Sequence, residues 1–315
     1  MPRSLPDPTA MPRPLPSFVQ RALDRLAQDL LRPPGAFPMD FTQPAGEPAL
    51  APHDSVSWQI FKNPVAMFVG GVAAVILELA EPRVRTGVWE HSTFRTRPMQ
   101  RLQRTGLAAM VTVYGARSVA EQMIAGVVRR HGEVAGRTPA GEPYAANDRA
   151  LLTWVQATAA FGFVQAYHAY VRPLRQDEFD RLYLEGAPAA RLYGALDAPT
   201  SQDEVRALFD RMRGRLEASA IVFEFLDIMS QAPILPAPWR PVQRLLVRAA
   251  VEITPLWVRE RLGLTRRYGA GAVEQRLVRW AGRLADRIVL RESPAVQACR
   301  RLGLPTEYLY RRPGR

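Results

Sequence analysis

The sequence predicts an all-α protein with a single large helical core. Apolar residues recur at helical spacing through long segments that Pro and Gly residues separate. No stretch alternates apolar and polar residues over enough positions, with enough β-branched side chains, to indicate a sheet. Of the 315 residues, 47% are hydrophobic, which is enough to bury a sizeable core.

The N-terminal region divides into an arm, a helix and a loop. Residues 1–16 are rich in proline and have little to bury, so we expect a disordered arm. From Ser17 the apolar positions follow helical spacing until Pro33 and Pro34 interrupt the pattern, which predicts a first amphipathic helix. Residues 32–52, rich in Pro and Gly, are predicted to form a long connecting loop.

The most apolar segment runs from Pro64 to Ala80 and contains Gly70, Gly71 and Glu78. A membrane-spanning helix needs about 20 consecutive apolar residues, so this shorter segment is better interpreted as a buried central helix. Two adjacent glycines lower helix propensity. Their presence indicates close approach by another helix or by a flat ligand.

Further helices are expected along the rest of the chain, with breaks at Gly and Pro residues. Their ranges are 98–114, 118–134, 148–171, 177–193, 201–218, 241–252 and 272–290. We therefore treat residues 17–315 as one helical domain. The proline cluster before Trp239 is the one credible boundary of a C-terminal helical subdomain, which would begin at about residue 239.

The net charge is +12, and Lys62 is the only lysine. Nucleic acid is not an expected partner, because no Lys/Arg cluster is interleaved with aromatic residues. Cys299 is the only cysteine, which excludes an intramolecular disulfide and a thiol-rich metal site. The N-terminal residues lack the apolar core of a secretory signal, so a cytoplasmic location without a transmembrane span is expected.

Four histidines are candidates for chemistry. His131 lies on the apolar face of its predicted helix, close to the helix end, where a histidine is either a satisfied core residue or a ligand. His53 lies in a loop and is predicted to be an exposed surface residue. His91 and His168 are candidates for a supporting hydrogen bond or a second ligand. Neither has a His or carboxylate partner at the spacing of a helical metal pair.

Common enzyme motifs are missing. The chain has no phosphate loop, no dinucleotide fingerprint, no Gly-x-Ser-x-Gly elbow and no Cys-x-x-Cys-His motif for covalent haem. The surroundings of Cys299 are not those of a thiolate ligand to haem. From the residues alone, the function stays open beyond a helical protein with histidine and arginine in apolar surroundings.

A series of short motifs, each weak by itself, nevertheless resembles the rubber oxygenase (latex-clearing protein) and mpaB-type oxygenase family. The resemblance covers roughly residues 55–195, with a looser echo in Pro236 to Gly263. In order, the motifs are Phe68-Val69-Gly70-Gly71, Leu79-Ala80-Glu81-Pro82, Val88 to His91-Ser92, Arg101-Leu102-Gln103-Arg104-Thr105, Tyr114-Gly115, His131 to Gly136, and Tyr144-Ala145.

The resemblance implies an all-helical fold with a globin-like core that holds a non-covalent haem b. It implies that His131 is the iron ligand, and that Arg101 and Thr105 face the opposite side of the haem as catalytic and cofactor-binding residues. Arginine and a hydroxyl group are suited to hydrogen-bond bound dioxygen or peroxide. His91, Gly70 and Gly71 complete the predicted cofactor-binding set.

Arg104 departs from the latex-clearing members of the family, which carry a lysine at this position. A desolvated lysine can lose its proton and offer a lone pair to iron, whereas an arginine stays protonated and has no acceptor. We therefore include Arg104 among the predicted catalytic residues and expect an iron site with no second protein ligand. Without a secretion signal, cleavage of an extracellular polymer is not expected, and a small or membrane-derived hydrophobic substrate is favoured.

The leading hypothesis is a haem b-dependent oxygenase or peroxidase-like enzyme that uses dioxygen or peroxide on an isoprenoid or lipid-like substrate. The alternatives are a haem- or lipid-binding carrier without turnover, and a helical scaffold that has lost its cofactor. Any membrane contact is expected to be peripheral. The sequence leaves the oligomeric state open.

Overall fold

The computed structural model describes residues 16–30 and 39–311, with backbone only for residues 26–30. Within these ranges the chain is helical apart from one small hairpin, and this confirms the predicted all-α class. The helices are α1 Ser17–Leu30, α2 Val56–Phe61, α3 Pro64–Ala80, α4 Pro82–His91, α5 Pro98–Tyr114, α6 Arg117–His131, α7 Arg149–Tyr170, α8 Gln176–Tyr193, α9 Gln202–Met212, α10 Ala220–Gln231, α11 Arg240–Ile253, α12 Leu256–Leu262, α13 Ala272–Ala285 and α14 Pro294–Arg301. The hairpin pairs β1 Ala135–Arg137 with β2 Pro143–Ala145 in antiparallel register.

The longer predicted helices are all present, but three end early. α6 stops at His131 because Gly132 caps it and the hairpin follows, α9 stops at Met212, and α13 stops at Ala285. The sequence prediction missed the short helices α2, α4, α10, α12 and α14, and it placed a plain loop where the hairpin forms. Elements of one to three turns show little periodicity, and α10 is apolar on several faces.

Helix α3 lies at the centre of the core. It begins with the Asn63 side chain, which accepts hydrogen bonds from the backbone N–H groups of Val65 and Ala66 at 3.1 Å. The buried Lys62 ammonium contacts the Asp286 carboxylate at 2.7 Å, and the Asn63 amide donates to the Gly282 carbonyl at 2.9 Å. The start of α3 is thereby fixed to α13.

The closest helix contact in this core is the crossing of α3 and α7 at Gly70 and Gly162. A Cβ atom added to Gly162 would lie 2.3 Å from the Gly70 carbonyl oxygen, and one added to Gly70 would lie 2.7 Å from the Phe163 Cα. Only glycine allows the two backbones to approach this closely. The sequence left open whether a helix or a flat ligand approaches Gly70. The structure shows that helix α7 does.

Two buried clusters hold the helices together. The larger cluster joins α3 and α7 to residues on both sides of the proline cluster near residue 239, including Val222, Leu246 and Val278. The smaller cluster joins Phe41, Trp58 and Tyr114 to the C-terminal residues Cys299 and Tyr310. The predicted N-terminal arm, except Pro16, lies outside the described residues.

No single helix in residues 16–30 and 39–311 has both the length and the apolar character that crossing a bilayer requires. Helices α3 and α4 meet those criteria only when they are taken together, and a bend of 110° separates them.

Replacement of Gly162 by Ala should destabilise the fold, because the new methyl group would collide with backbone atoms of α3. We expect the free energy of unfolding to fall by about 1–3 kcal/mol or more, measured by urea denaturation. Gly186 in α8 is the matched control, since nothing lies within 4 Å of its added Cβ. Gly186→Ala should be neutral or stabilise by up to about 1 kcal/mol. Equal effects of the two changes would contradict a tight crossing.

Candidate active site

The face of α3 that points away from tight packing carries the candidate site. Gly71, Val75 and Glu78 follow one another at helical spacing, and each is only partly buried, whereas most of α3 is fully buried. The principal contacts of α3 are with α7, α11, α4 and α13, and those of α5 are with α2, α6 and α14. Helices α3 and α5 thus do not pack along each other, although side chains from both influence the same charges.

Half-buried apolar side chains occur on α3 and on the helices that follow it in sequence. They pack against the main core while keeping part of their surface accessible. They come from α3, α4, α5 and the turn after α6: Phe68, Val75, Val88, Trp89, Met99, Leu102 and Val134. Such a lining suits an apolar ligand better than an ionic one.

Glu78 is a carboxylate in an otherwise apolar helix. Burial raises the pKa of its side chain to about 7, and the charge of Arg101 opposes this shift only in part. In the described part of the chain, no guanidinium nitrogen of Arg101 lies within 4.0 Å of the Glu78 carboxylate oxygens. Glu78 is therefore a half-buried acid whose pKa lies near neutral pH.

Arg101 projects from α5 towards Glu78 and His131. Burial lowers the pKa of its guanidinium, Glu78 opposes this effect, and the nearby charge of Arg104 adds to it. Within residues 16–30 and 39–311 its side chain has no hydrogen bond or ion pair. A half-buried guanidinium with unused N–H donors is suited to bind an anion or a polar oxygen species.

His131 is the last residue of α6, and it continues the apolar face formed by Ile124, Val127 and Val128. Burial lowers the pKa of its imidazole, and the charges of Arg101 and Arg130 lower it further. The ring is therefore neutral at pH 7. Its Nδ1 atom is buried and has no hydrogen-bond partner among the described residues.

These features fit a haem held by one histidine. A neutral imidazole has a lone pair that can ligate iron, and here no described protein group competes for the Nδ1 atom. An orphaned buried atom otherwise destabilises a fold by about 1–3 kcal/mol. The described residues contain no group of three or more His, Cys, Asp or Glu side chains that could hold a bare metal ion. Haem needs only a single protein ligand.

The other two residues of the Arg-x-x-Arg-Thr motif lie closer to the solvent. Arg104 and Thr105 are both exposed, and the Thr105 hydroxyl donates to the Arg101 carbonyl of its own helix at 2.9 Å. The structure thus brings Arg101 together with His131 and Glu78. It leaves the side chains of Arg104 and Thr105 at the edge of this group.

His91 belongs to a different cluster. It is exposed at the end of α4, and its Nε2 atom lies 3.1 Å from the Tyr144 hydroxyl, which also donates to the Glu90 carboxylate at 3.3 Å. Tyr144 packs over Gly136, where an added Cβ would lie 2.7 Å from the tyrosine oxygen. The Gly136 and Tyr144 motifs therefore shape the hairpin that follows His131.

The two glycines of the first motif have different surroundings. Gly70 lies at the α3–α7 crossing, whereas Gly71 lies on the half-open face with Glu78, and an added Cβ there would be 3.9 Å from the Phe163 ring. Gly71 thus leaves room on the side of α3 that carries the candidate site.

The remaining histidines and the cysteine have structural roles. The His168 Nδ1 atom accepts a hydrogen bond from the Leu174 N–H at 3.0 Å, and burial lowers the pKa of its ring. His53 is partly buried rather than exposed, because its Nδ1 atom lies 2.9 Å from the Tyr308 hydroxyl. Burial raises the pKa of the Cys299 thiol to about 12, so that it stays protonated.

A small pocket between α7 and α8 is separate from this site. It is lined mainly by alanines and by Tyr183, whose buried hydroxyl has no partner among the described residues. None of its lining residues belongs to the group around His131. A water molecule would satisfy the tyrosine, and the pocket adds nothing to the candidate chemistry.

Glu78 is the residue that the sequence interpretation missed as a site residue. It was noted only as an interruption of an apolar segment. One feature of the sequence could have indicated Glu78: it is the only carboxylate in a helix that is otherwise apolar. A carboxylate in such surroundings is usually paired with a cation or has a shifted pKa. Its position relative to Arg101 depends on how α3 and α5 are arranged, and no local pattern records that arrangement.

An all-helical fold places a neutral histidine, a half-buried arginine and a carboxyl group of raised pKa near one another. Residues 58–287 match the family model described as ER-bound oxygenase mpaB/B'/Rubber oxygenase, catalytic domain. The match covers well over half of the chain, which therefore belongs to this family of oxygenase catalytic domains, as the motifs predicted. Searches of curated proteins and of solved structures found no match.

The raised pKa of Glu78 makes a prediction about stability and pH. Because the folded state holds this proton up to about pH 7 and the unfolded carboxyl loses it near its ordinary pKa of 4.5, the free energy of unfolding should fall as the pH rises between these values. Glu78→Gln removes this loss. The variant should gain stability over the wild type by on the order of 2 kcal/mol between pH 4.5 and 8.

Urea denaturation of both proteins at several pH values measures this difference. A difference that stays constant across the range would contradict a desolvated Glu78.

Proposed function

We propose that this protein is a haem b-dependent oxygenase that acts on a small hydrophobic substrate, with His131 as the iron ligand. The buried, unpartnered Nδ1 atom of a neutral His131 carries the proposal. Membership of the oxygenase family supports it. Neither haem nor a hydrophobic substrate follows from that membership alone. His131 supports the haem, and the half-buried apolar side chains support the hydrophobic substrate.

His131 would hold the haem iron, and the half-buried apolar side chains of α3, α4 and α5 would contact the porphyrin and the substrate. When bound, haem supplies the activation of dioxygen or peroxide. The protein supplies a neutral imidazole, a water-poor lining and fixed hydrogen-bond donors. Gly71 on α3 would present no side chain to a flat group at this face.

Arg101 would donate hydrogen bonds to the oxygen atoms of the reacting molecule. Its side chain is half-buried and has no competing partner among the described residues, so its N–H groups are available to the reacting molecule. Donors of this kind act more strongly in a water-poor site than in solvent. Burial and the charge of Arg101 together lower the pKa of His131, so that the neutral ring offers its lone pair to a metal.

Glu78 would hold and release a proton beside the substrate. A carboxyl group with a pKa of about 7 is present in both protonation states at neutral pH, and this is the condition for general acid–base catalysis. The nearby Arg101 stabilises the ionised form, so proton release from Glu78 leaves a compensated charge. The substrate itself would bring apolar surface to Phe68, Val75 and Leu102.

One observation favours a second candidate, a haem- or lipid-binding carrier without turnover. Thr105 is exposed and its hydroxyl is bonded to its own helix, so it is not free to act on oxygen in this conformation. Oxygen consumption with alkene or lipid substrates distinguishes the two, because only the enzyme consumes oxygen in proportion to the substrate.

The haem ligand can be tested by His131→Ala. We expect haem content after reconstitution to fall roughly tenfold or more, because a single coordinate bond anchors the group. Far-UV circular dichroism should stay unchanged, since His131 lies at a helix end. His91→Ala is the matched control and should retain haem with an unaltered absorption spectrum. Retention in the His131 variant together with loss in the His91 variant would move the ligand to His91.

The role of Arg101 can be tested in haem-loaded protein. Arg101→Gln should retain haem and slow substrate-dependent oxygen consumption by about 100-fold, the usual effect of removing one preorganised donor. Thr105→Val should have a smaller effect, because the Thr105 hydroxyl is bonded to the Arg101 carbonyl. Equal rates in the wild type and the Arg101 variant would rule out this role for the guanidinium.

A further inference from the structure

Helix α13 presents an apolar stripe to solvent. Val273, Leu277 and Trp280 are 67%, 53% and 66% exposed, and their spacing of four and three residues places them on one face of the helix. Three large apolar side chains that adjoin one another at this exposure form a continuous surface. Scattered single residues would need no explanation, but a patch of this kind indicates a binding surface.

Arginines flank the stripe. Arg276 and Arg283 belong to α13, Arg287 lies just past its end, and all three are exposed. None of them pairs with a carboxylate in the part of the protein that the structure describes. The acidic residue of α13 is engaged elsewhere, because the Glu274 carboxylate binds Arg248 at 3.0 Å. The exposed face of α13 is therefore both apolar and cationic.

The opposite face of α13 fixes this orientation. Val278 and Gly282 are buried, and a Cβ added to Gly282 would lie 2.4 Å from the Tyr170 carbonyl oxygen. The Asn63 amide binds the Gly282 carbonyl from α3. Helix α13 cannot rotate to bury the stripe without breaking these contacts, so the stripe is a permanent part of the surface.

We propose that α13 docks this protein on an anionic lipid surface. The indole of Trp280 would lie at the boundary between headgroups and acyl chains, with Val273 and Leu277 beside it in the apolar layer. Arg276, Arg283 and Arg287 would pair with lipid phosphates through charge-assisted hydrogen bonds. This surface goes beyond the proposed function, since it involves neither His131 nor a bound cofactor.

Charge excludes the competing occupants. A two-fold contact between copies through this face would bring the three arginines of one copy against those of the other, and like charges repel. The side chains that the structure does not describe include two carboxylates, Asp7 and Asp29. Two carboxylates cannot pair with all three arginines, whereas an anionic membrane supplies a counter-charge to each.

The test is cosedimentation of the full-length protein with lipid vesicles. We expect binding to phosphatidylcholine vesicles that contain phosphatidylglycerol, and binding at least tenfold weaker to phosphatidylcholine alone. Leu277→Gln combined with Trp280→Gln should weaken binding to the anionic vesicles by roughly tenfold or more. The control replaces Leu184 and Trp239 by Gln, because these side chains are 61% and 59% exposed on other elements. The control should bind like the wild type.

A triple variant with Gln at Arg276, Arg283 and Arg287 should lose the preference for phosphatidylglycerol. The proposal would be overturned if the wild type did not bind vesicles, or if it bound both kinds of vesicle equally. Equal loss of binding in the Leu277/Trp280 variant and in the Leu184/Trp239 control would also overturn it. So would a Leu277/Trp280 variant that binds vesicles normally and differs from the wild type only by a smaller size in gel filtration. The last result would assign the stripe to a second copy of the chain. Circular dichroism confirms that each variant is folded, and the assay needs neither haem nor turnover.

Discussion

The backbone contact between Gly70 and Gly162 is the constraint on which the site depends. It lets α3 and α7 pack without side chains between them, so α3 is fully buried on that side. The face about a quarter-turn away, with Gly71 and Glu78, is left half-open. A bulkier residue at the crossing would push α3 away from α7 and alter the one face that carries the acid.

The candidate site holds three polar side chains that are half-buried and are not closely paired with one another. Burial acts in opposite directions on the two kinds of group, raising the pKa of the Glu78 carboxyl and lowering that of the His131 ring. Arg101 stands between them and moderates the first shift while adding to the second. The charge of Arg101 therefore acts on both groups. It keeps the pKa of Glu78 from rising further, so that the carboxyl can exchange its proton, and it helps to keep His131 neutral. Oxygen chemistry at a metal would use both of these protonation states.

The sequence predicted those features that depend on residues close together in the chain. Long amphipathic helices such as α11 and α13 were predictable from spacing, and the position of His131 on an apolar face was visible in the same way. Short helices and the hairpin were missed because they depend on caps and contacts distant in sequence. The separation of Arg101 from Thr105 was also missed. Two residues four apart share a helix face, but only tertiary packing determines which of them is buried.

The burial of Lys62 has a consequence for the chemistry of the surface. It is the only lysine in the 315 residues, its side chain is 2% exposed, and its ammonium group contacts Asp286. The cationic surface is therefore made of guanidinium groups, which do not react with acylating reagents under the conditions that modify amines. Amine-directed cross-linkers and acetyl or ubiquitin transfer would find no lysine on the folded protein, and labelling of Lys62 would report that α3 has come away from α13.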